Sequence, residues 1–348
     1  MPDLRIGFFL SHEQFSPPEL LELAVAAGEA GFDELATSDH FHPWQHNQGH
    51  SGQAWITLAA IGQAVPRIPF GTTVTCPSYR YHPAVVAQAF ATLATLYPGR
   101  VFLGLGTGEA FNEQPLTGQF GNFQERHDRL DEAAQIIRRM WSGEWTSFNG
   151  QYYQIKDARL YDPPPEPIPL LIAASGPKSI DLAGRRGDGW ITDSESVRDP
   201  RLVDAFRQAH LGSGRIMVEQ FAVVGGQKEA HEAAEVWRFQ PIGFTELLSD
   251  PDPRSVQRRA EEKLTLDDVA AKFLVSEDPS AHAQRIRKLA SAGATDIIVH
   301  TGQHDQLRMI RFYEREVLPM LRGSQGGQKV RETVGEGVRT EGSNLMPG

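Results

Sequence analysis

Seven residues, "SDHFHPW" at 38–44, place Asp39, His40, His42 and Trp44 side by side at the point where an apolar run gives out. An imidazole changes charge near neutrality, so a histidine flanked by an acid and a large indole is equipped for proton transfer beside a bound molecule. The same kind of ending recurs along the chain: His12 and Glu13 in "SHEQF", Cys76 and Arg80 in "TTVTCPSYRY", Glu109 and Asn112 in "GTGEAFNE", and His300 in "VHTGQHDQ". Buried strands that repeatedly finish in ionisable groups break the local rule for core elements, and such breaks are expected at functional sites. The pair His40 and His42 also has a spacing that could hold a divalent metal. Further histidine and carboxylate ligands from later strands are then expected, and only His300 is conveniently placed, so no metal is expected. His42, His46 and His50 taken singly fit solvated or hydrogen-bonded structural roles, and Cys76 fits a buried small hydrophobe. The glycines of "GLGTGE" give GxGxG rather than the GxGxxG of dinucleotide-binding folds, with no helix starting at once after them. They suit close approach of a flat ligand to the backbone instead. "AASGPKS" offers a second such place, where Pro177 opens a helix whose free N–H groups could hold a phosphate.

The elements that must carry these residues alternate. "LRIGFFLS", "DELATSDHF", "IPFGTTVTCP", "RVFLGLGTGE", "PIPLLIAASG", "DGWITD", "GRIMVEQFAVVG" and "ATDIIVHTG" read as strands, most followed by a helical pattern. A hairpin with Asn149 and Gly150 in its turn is expected in "WTSFNGQYYQI". The alternation fits a doubly wound sheet or a closed α/β barrel. Eight strand candidates, with polar residues at the C-terminal ends of several of them, favour the (β/α)8 TIM-type barrel. The expected organisation is one barrel over 1–322, with a charged helical insertion around 227–288 and a glycine-rich disordered tail over 323–348.

Composition narrows the partners. A chain of 348 residues with 40% hydrophobic and 22% charged residues is that of a water-soluble globular protein, and its net charge of −10 argues against nucleic acid. The first residues, "MPDLRIGFFLSH", read as strand rather than signal peptide, and no apolar run is long enough to span a bilayer. One cysteine excludes an internal disulfide. A cytoplasmic protein with a small-molecule partner is expected.

Five stretches carry a resemblance: "EQF" at 13–15, "SDHFHPW" at 38–44, "RYHPAVVAQAFAT" at 80–92, "LYPGRVFLGLGTGEAFNE" at 96–113 and "AGRRGDGWI" at 183–191. In order and spacing they resemble the deazaflavin-dependent members of the luciferase-like superfamily, in particular F420-dependent glucose-6-phosphate dehydrogenases. The resemblance implies a TIM-type barrel, a homodimer, and coenzyme F420 as cofactor. It implies that His40 takes the hydroxyl proton, that Trp44 helps hold the reacting carbon, that Glu109 supplies a proton near the reduced ring, and that Glu13 tunes His40 or orients substrate. Cofactor contacts are implied for Asp39, Thr73, Val74, Thr107, Gly108, Asn112, Ala173, Ala174, Ser175 and Gly176, with a cis peptide bond at Thr73–Val74. Those residue types suit the chemistry: an imidazole accepts the proton, a rigid indole positions, and a carboxyl quenches developing charge. The sugar-phosphate enzymes hold phosphate with two lysines and an arginine. The corresponding positions here are Ser196, Leu248 and Lys272, so one cation remains. Losing two charged donors costs several kcal/mol at ~1.5 to 3 each. Glucose 6-phosphate is therefore not the expected substrate unless Arg254, Arg258 or Arg259 substitutes. An unphosphorylated or larger hydroxyl compound is expected, with Lys272, Ser196 and Trp190 as substrate contacts and Trp237 and Phe244 as further apolar walls. The competing readings are an FMN-dependent monooxygenase on the same barrel and a metal-dependent hydrolase using His40 and His42.

Overall fold

The computed structural model describes residues 4–210 and 212–323. The tail expected over 323–348 lies, apart from Gly323, outside the described residues. Eleven strands follow in chain order: β1 (Arg5–Leu10), β2 (Glu34–Thr37), β3 (Phe70–Thr75), β4 (Val101–Leu105), β5 (Thr146–Asn149), β6 (Gln154–Ala158), β7 (Leu170–Ala173), β8 (Gly189–Asp193), β9 (Arg215–Val223), β10 (Leu274–Val275) and β11 (Asp296–His300). Eight of them close into a parallel barrel in the order β1-β2-β3-β4-β7-β8-β9-β11, with β11 pairing back onto β1. These eight are the strands that the alternation predicts. β5 and β6 form the expected antiparallel hairpin outside the barrel, and β10 lies along the end of β9.

Closure requires each strand to be apolar on both faces, because helices cover the outside and side chains fill the inside. The inside is a dry layer built by Phe9, Ala36, Phe102, Leu171, Ile191, Met217 and Ile298, with Val74 and Ala173 packed against it. Bulk alternates with absence. Phe102 fills space that Gly71 leaves, and a Cβ on Gly71 would collide with the Phe102 carbonyl. The helices between strands carry ordinary start signals: Glu19 accepts from the Ser16 N–H at 2.9 Å, and the Asn122 side chain accepts from the Glu125 N–H at 3.0 Å.

Two polar layers bound the apolar one. At the N-terminal ends of the strands Arg5, Glu34, Arg215 and Asp296 form an ion cluster: Arg215 Nη2 donates to Glu34 Oε2 and Asp296 Oδ1, each at 2.8 Å, and Arg5 Nε donates to Asp296. At the C-terminal ends lies the open mouth. Between β9 and the barrel helix Pro279–Ser291, the helices Gln227–Val236, Pro253–Lys263 and Leu266–Ala270 and a wide turn at Gly243–Leu247 stand over one side of that mouth. Helix Pro279–Ser291, counted with the 227–288 insertion in the sequence, buries Ala283, Ile286 and Leu289 in the outer core and belongs to the barrel. The preceding segment packs instead on Trp44, Phe111 and Phe221. Among the described residues no helix is long and apolar enough to cross a membrane.

Candidate active site

The ends of β1 and β2 bring the first acid and the first base together. Glu13 is buried beyond β1, where its Oε2 accepts from Ser38 Oγ at 2.6 Å and its Oε1 lies 3.1 Å from His40 Nδ1. That approach is an ion-pair distance not aligned as a hydrogen bond, which leaves the ring nitrogen without a bonded partner. Main-chain and side-chain pins hold the loop: Ser51 Oγ donates to the His40 carbonyl at 2.8 Å, and the His50 N–H donates to the Glu13 carbonyl at 2.9 Å. The His40 ring meets the edge of Phe111 at 5.6 Å and lies 6.4 Å from Trp44.

Trp44 is nearly enclosed. It stacks on Phe239 at 4.5 Å and packs against Phe111 at 4.6 Å, while Phe244 meets it edge-on at 5.2 Å. Phe244 itself is 67% exposed, so an aromatic wall runs from the barrel to solvent. Gln45 ties the insertion to this loop, its amide donating to the Glu235 carbonyl at 3.2 Å and its oxygen accepting from the Phe239 N–H at 2.6 Å.

Beyond β4, Glu109 stands at the N-cap position of the helix Ala110–Thr117, its side chain making no capping hydrogen bond. Asn112, one turn on and buried, donates to Glu109 Oε2 at 3.0 Å and accepts from the Phe41 and His42 N–H groups at 2.8 and 3.3 Å. It thereby holds the acid of one strand end against the histidine loop of another. The Ala110 N–H donates to the carbonyl of Leu248, which anchors the insertion on the same helix start. Below them Asp39 accepts from Thr75 at 2.7 Å and from Arg80 at 3.3 Å, and Arg80 also pairs with buried Glu113. Burial pushes the Glu113 carboxyl above its usual range, the Arg80 charge opposing. Burial also pushes the Cys76 thiol well up, and Cys76 packs against Gly108, so it is the inert hydrophobe expected.

The remaining residues expected to hold a cofactor lie at the C-terminal ends of three neighbouring strands, β3, β4 and β7. Thr73 and Val74, joined by a cis peptide bond, are half-buried on a strand whose other residues are fully buried. Gly108 turns with φ of +79°, a left-handed conformation that favours glycine. The turn Ala173–Gly176 leads into helix Pro177–Arg186, whose N-cap Gly176 offers no side-chain cap and has open space where a Cβ would stand. Half-buried strand-end residues next to a helix N-terminus without a side-chain cap fit a planar ring with an anionic tail.

One expected wall stands elsewhere, and the other expected substrate contacts have local surroundings of their own. Trp190 does not wall the site: it is fully buried on the outer side of β8, against Phe206, and its Nε1 donates to the Ala174 carbonyl at 2.7 Å. Ile191, its neighbour, is the residue that faces the barrel interior. Ser196 donates to Asp193 at 2.7 Å, and Lys272 is exposed on the turn before β10. The arginines that could replace a phosphate site are engaged within the insertion: Arg254 pairs with Asp252, Arg259 with Asp250 and Arg258 with Glu262. Among the described residues no three His, Cys, Asp or Glu side chains gather as metal ligands, and His42 packs on Phe41 rather than joining His40. Two participants escaped notice in the sequence. Gln14 accepts from Trp237 Nε1 at 3.0 Å and donates to the Gly302 carbonyl at 2.8 Å, locking the insertion to the barrel. Glu219 stands in the mouth from the middle of β9, where the one charged residue in "IMVEQFAV" was its only signal.

The chain matches the luciferase-like monooxygenase family over residues 4–296. It is 48% identical over 323 residues, 91% of this chain and 88% of the other, to the F420-dependent hydroxymycolic acid dehydrogenase of Mycobacterium tuberculosis. It is 39% identical to the F420-dependent glucose-6-phosphate dehydrogenase of Nakamurella multipartita, covering 93% of this chain and 98% of that one. Among solved structures, an F420-dependent secondary alcohol dehydrogenase in complex with an F420–acetone adduct superposes with a TM-score of 0.85 at 32% identity, over 92% of this chain and all of that one.

Proposed function

The chain belongs to the luciferase-like family, and on that premise we propose that it is an F420-dependent dehydrogenase, moving hydride between the carbinol carbon of a hydroxylated substrate and coenzyme F420. The observation that carries this reading is the Glu13–His40 pair beside Trp44, with Glu109 held by Asn112 across the same opening. Relatives and a solved neighbour named for F420 support it.

Bound at the opening, the deazaflavin supplies a two-electron hydride acceptor. Thr73, Val74, Thr107, Gly108 and the Ala173–Gly176 turn would hold it, with Asp39 and Asn112 fixing the loops around it. His40 accepts the hydroxyl proton at a ring nitrogen. Glu13, 3.1 Å from Nδ1, orients the ring and stabilises the imidazolium that results. Trp44 fixes the reacting carbon by shape, because its indole is clamped between Phe239 and Phe111. Glu109, at a helix N-terminus and accepting from Asn112, would hold a proton at its carboxyl for the reduced cofactor. The aromatic wall ending in exposed Phe244 suits an alcohol with an apolar body, which agrees with a relative named for hydroxymycolic acid. Ser196, Leu248 and the locally paired arginines leave Lys272 as the one cation for a phosphate, so a sugar phosphate is a poor substrate.

A second copy of the chain is the partner that the family likeness suggests, and the single thiol of Cys76 agrees with action in the cytoplasm. The test is loss of deazaflavin fluorescence when purified protein and F420 meet a panel of secondary alcohols, sugars and sugar phosphates. Turnover with an alcohol supports the reading. Tight FMN binding without F420 binding overturns it.

A further inference from the structure

The side of the mouth away from His40 carries a second polar constellation. On β9 Met217 belongs to the interior apolar layer, and Glu219, two residues on, shares its face one level higher. Its register partners are Ile298, also interior, and Asp193. A carboxylate on that face of a closed barrel should be buried, yet the Glu219 side chain is 46% exposed while its strand neighbours are not, because it faces the open mouth. One oxygen, Oε1, bonds to His300 Nδ1, and His300 is buried with Nε2 2.9 Å from Ser11 Oγ. Oε2 has no protein partner among the described residues. The His300 ring is clamped by Phe9 at 4.2 Å and the edge of Trp237 at 4.4 Å. Trp237 leads by Phe239 at 5.5 Å to Trp44, so an unbroken aromatic row connects this pair to the proposed catalytic tryptophan. Ser11 is two residues before Glu13 on the same segment.

With Ser11 behind His300 and aromatic walls beside it, Glu219 has one held oxygen and one offered to whatever occupies the mouth. Asp193, next to it in register and also exposed, adds negative charge on the same side. We propose that Glu219 is the specificity residue of this mouth, accepting a hydrogen bond from a second hydroxyl or other donor on an uncharged substrate and repelling phosphate or carboxylate there, with His300 as its positioning residue. The proposal rests on the dehydrogenase reading for the reaction, though not for the binding preference. It gives the missing lysines a counterpart: of three expected cations only Lys272 remains, and the mouth presents an acid instead.

The test compares cyclohexanol, trans-1,2-cyclohexanediol and glucose 6-phosphate, in F420-linked turnover and in melting-temperature shifts of the F420-free protein. Wild type should prefer the diol to the mono-ol and ignore glucose 6-phosphate. Glu219→Leu should lower the diol preference in kcat/KM about 10-fold, chiefly through KM. His300→Phe should lower it similarly with F420 affinity retained, a change that loss of packing alone does not produce. Glu219→Lys should improve response to glucose 6-phosphate by about 100-fold. Should that variant not fold, near-isosteric Glu219→Gln should improve it by about 10-fold. Preferences unchanged within twofold in the Leu and the Lys or Gln variants overturn the proposal. If wild type turns over no alcohol, the dehydrogenase reading fails, and the melting shifts alone decide for or against Glu219.

Discussion

The two ends of this barrel treat buried charge in opposite ways. At the bottom, Arg5 and Arg215 meet Glu34 and Asp296, two guanidinium groups against two carboxyl groups, with a shared set of short contacts. At the top, Glu13, Glu109, Glu219 and Asp193 are held by Ser38, Asn112, His300 and Ser196, none of them a permanent cation, and Arg80 is already committed to Asp39 and Glu113. A closed cluster neutralises itself and contributes to a single packing arrangement. A cluster left open is a place for a ligand to complete. The difference teaches that ionisable residues at strand ends become informative about function only when their partners are counted.

The sharpest way to break the comparison is to remove the base at the top. His40→Ala should lower kcat with an accepted alcohol by about 10³- to 10⁴-fold, while F420 affinity by fluorescence titration changes less than twofold. The matching change at the bottom, Arg215→Met, leaves Glu34 and Asp296 buried with one cation. It should cost about 3–5 kcal/mol in denaturant unfolding, with kcat of the remaining folded enzyme nearly intact. If Arg215→Met instead cost activity without stability, the division of roles between the two ends would be wrong.

Protons sharpen it further. Burial lowers His12 beneath the site to about 4, against 6.5 in the unfolded chain. Between those values the unfolded state takes up a proton that the folded state refuses. His12 therefore removes about 3 kcal/mol of stability as pH falls from 6.5 to 4. Glu34 has the opposite sign: burial, with the Asp296 charge beside it, raises it from 4.5 to about 7, so its contribution is present below 4.5 and lost as pH rises to 7. Stability profiles of His12→Asn and Glu34→Gln should differ from wild type in opposite directions across this range. Parallel profiles would refute the assignment. The smallest expected effect is that of Asn112→Ala. It removes the bridge between Glu109 and the Phe41–His42 backbone and should reduce kcat about 10-fold with little change in melting temperature.

Much of this was legible in the sequence, for a physical reason. Parallel barrel strands must be apolar and bounded, so all eight runs from "RIGFFL" to "DIIVH" announced themselves, and their polar endings followed. Parity was not legible. In "GWITD" both faces are buried, so nothing in the residue types says that Ile191 faces the interior and Trp190 the helices, and Trp190 was misplaced for that reason. The same logic hid Glu219 from the other direction. A lone acid in "RIMVEQFAV" looks like a strand edge until closure of the barrel shows that its face is the interior one. Partner choice was illegible as well, since Arg254 and Arg259 could have reached the mouth and are instead engaged by Asp252 and Asp250.

Where the insertion meets the helix of Glu109, the joint is a carbonyl of Leu248 and the N–H of Ala110, main chain to main chain. Such a hinge is indifferent to the side chain carried at 248. A lineage could exchange that residue for a cation or a bulkier hydrocarbon and so acquire a new clientele, while the acid on the far side of the joint stays in alignment.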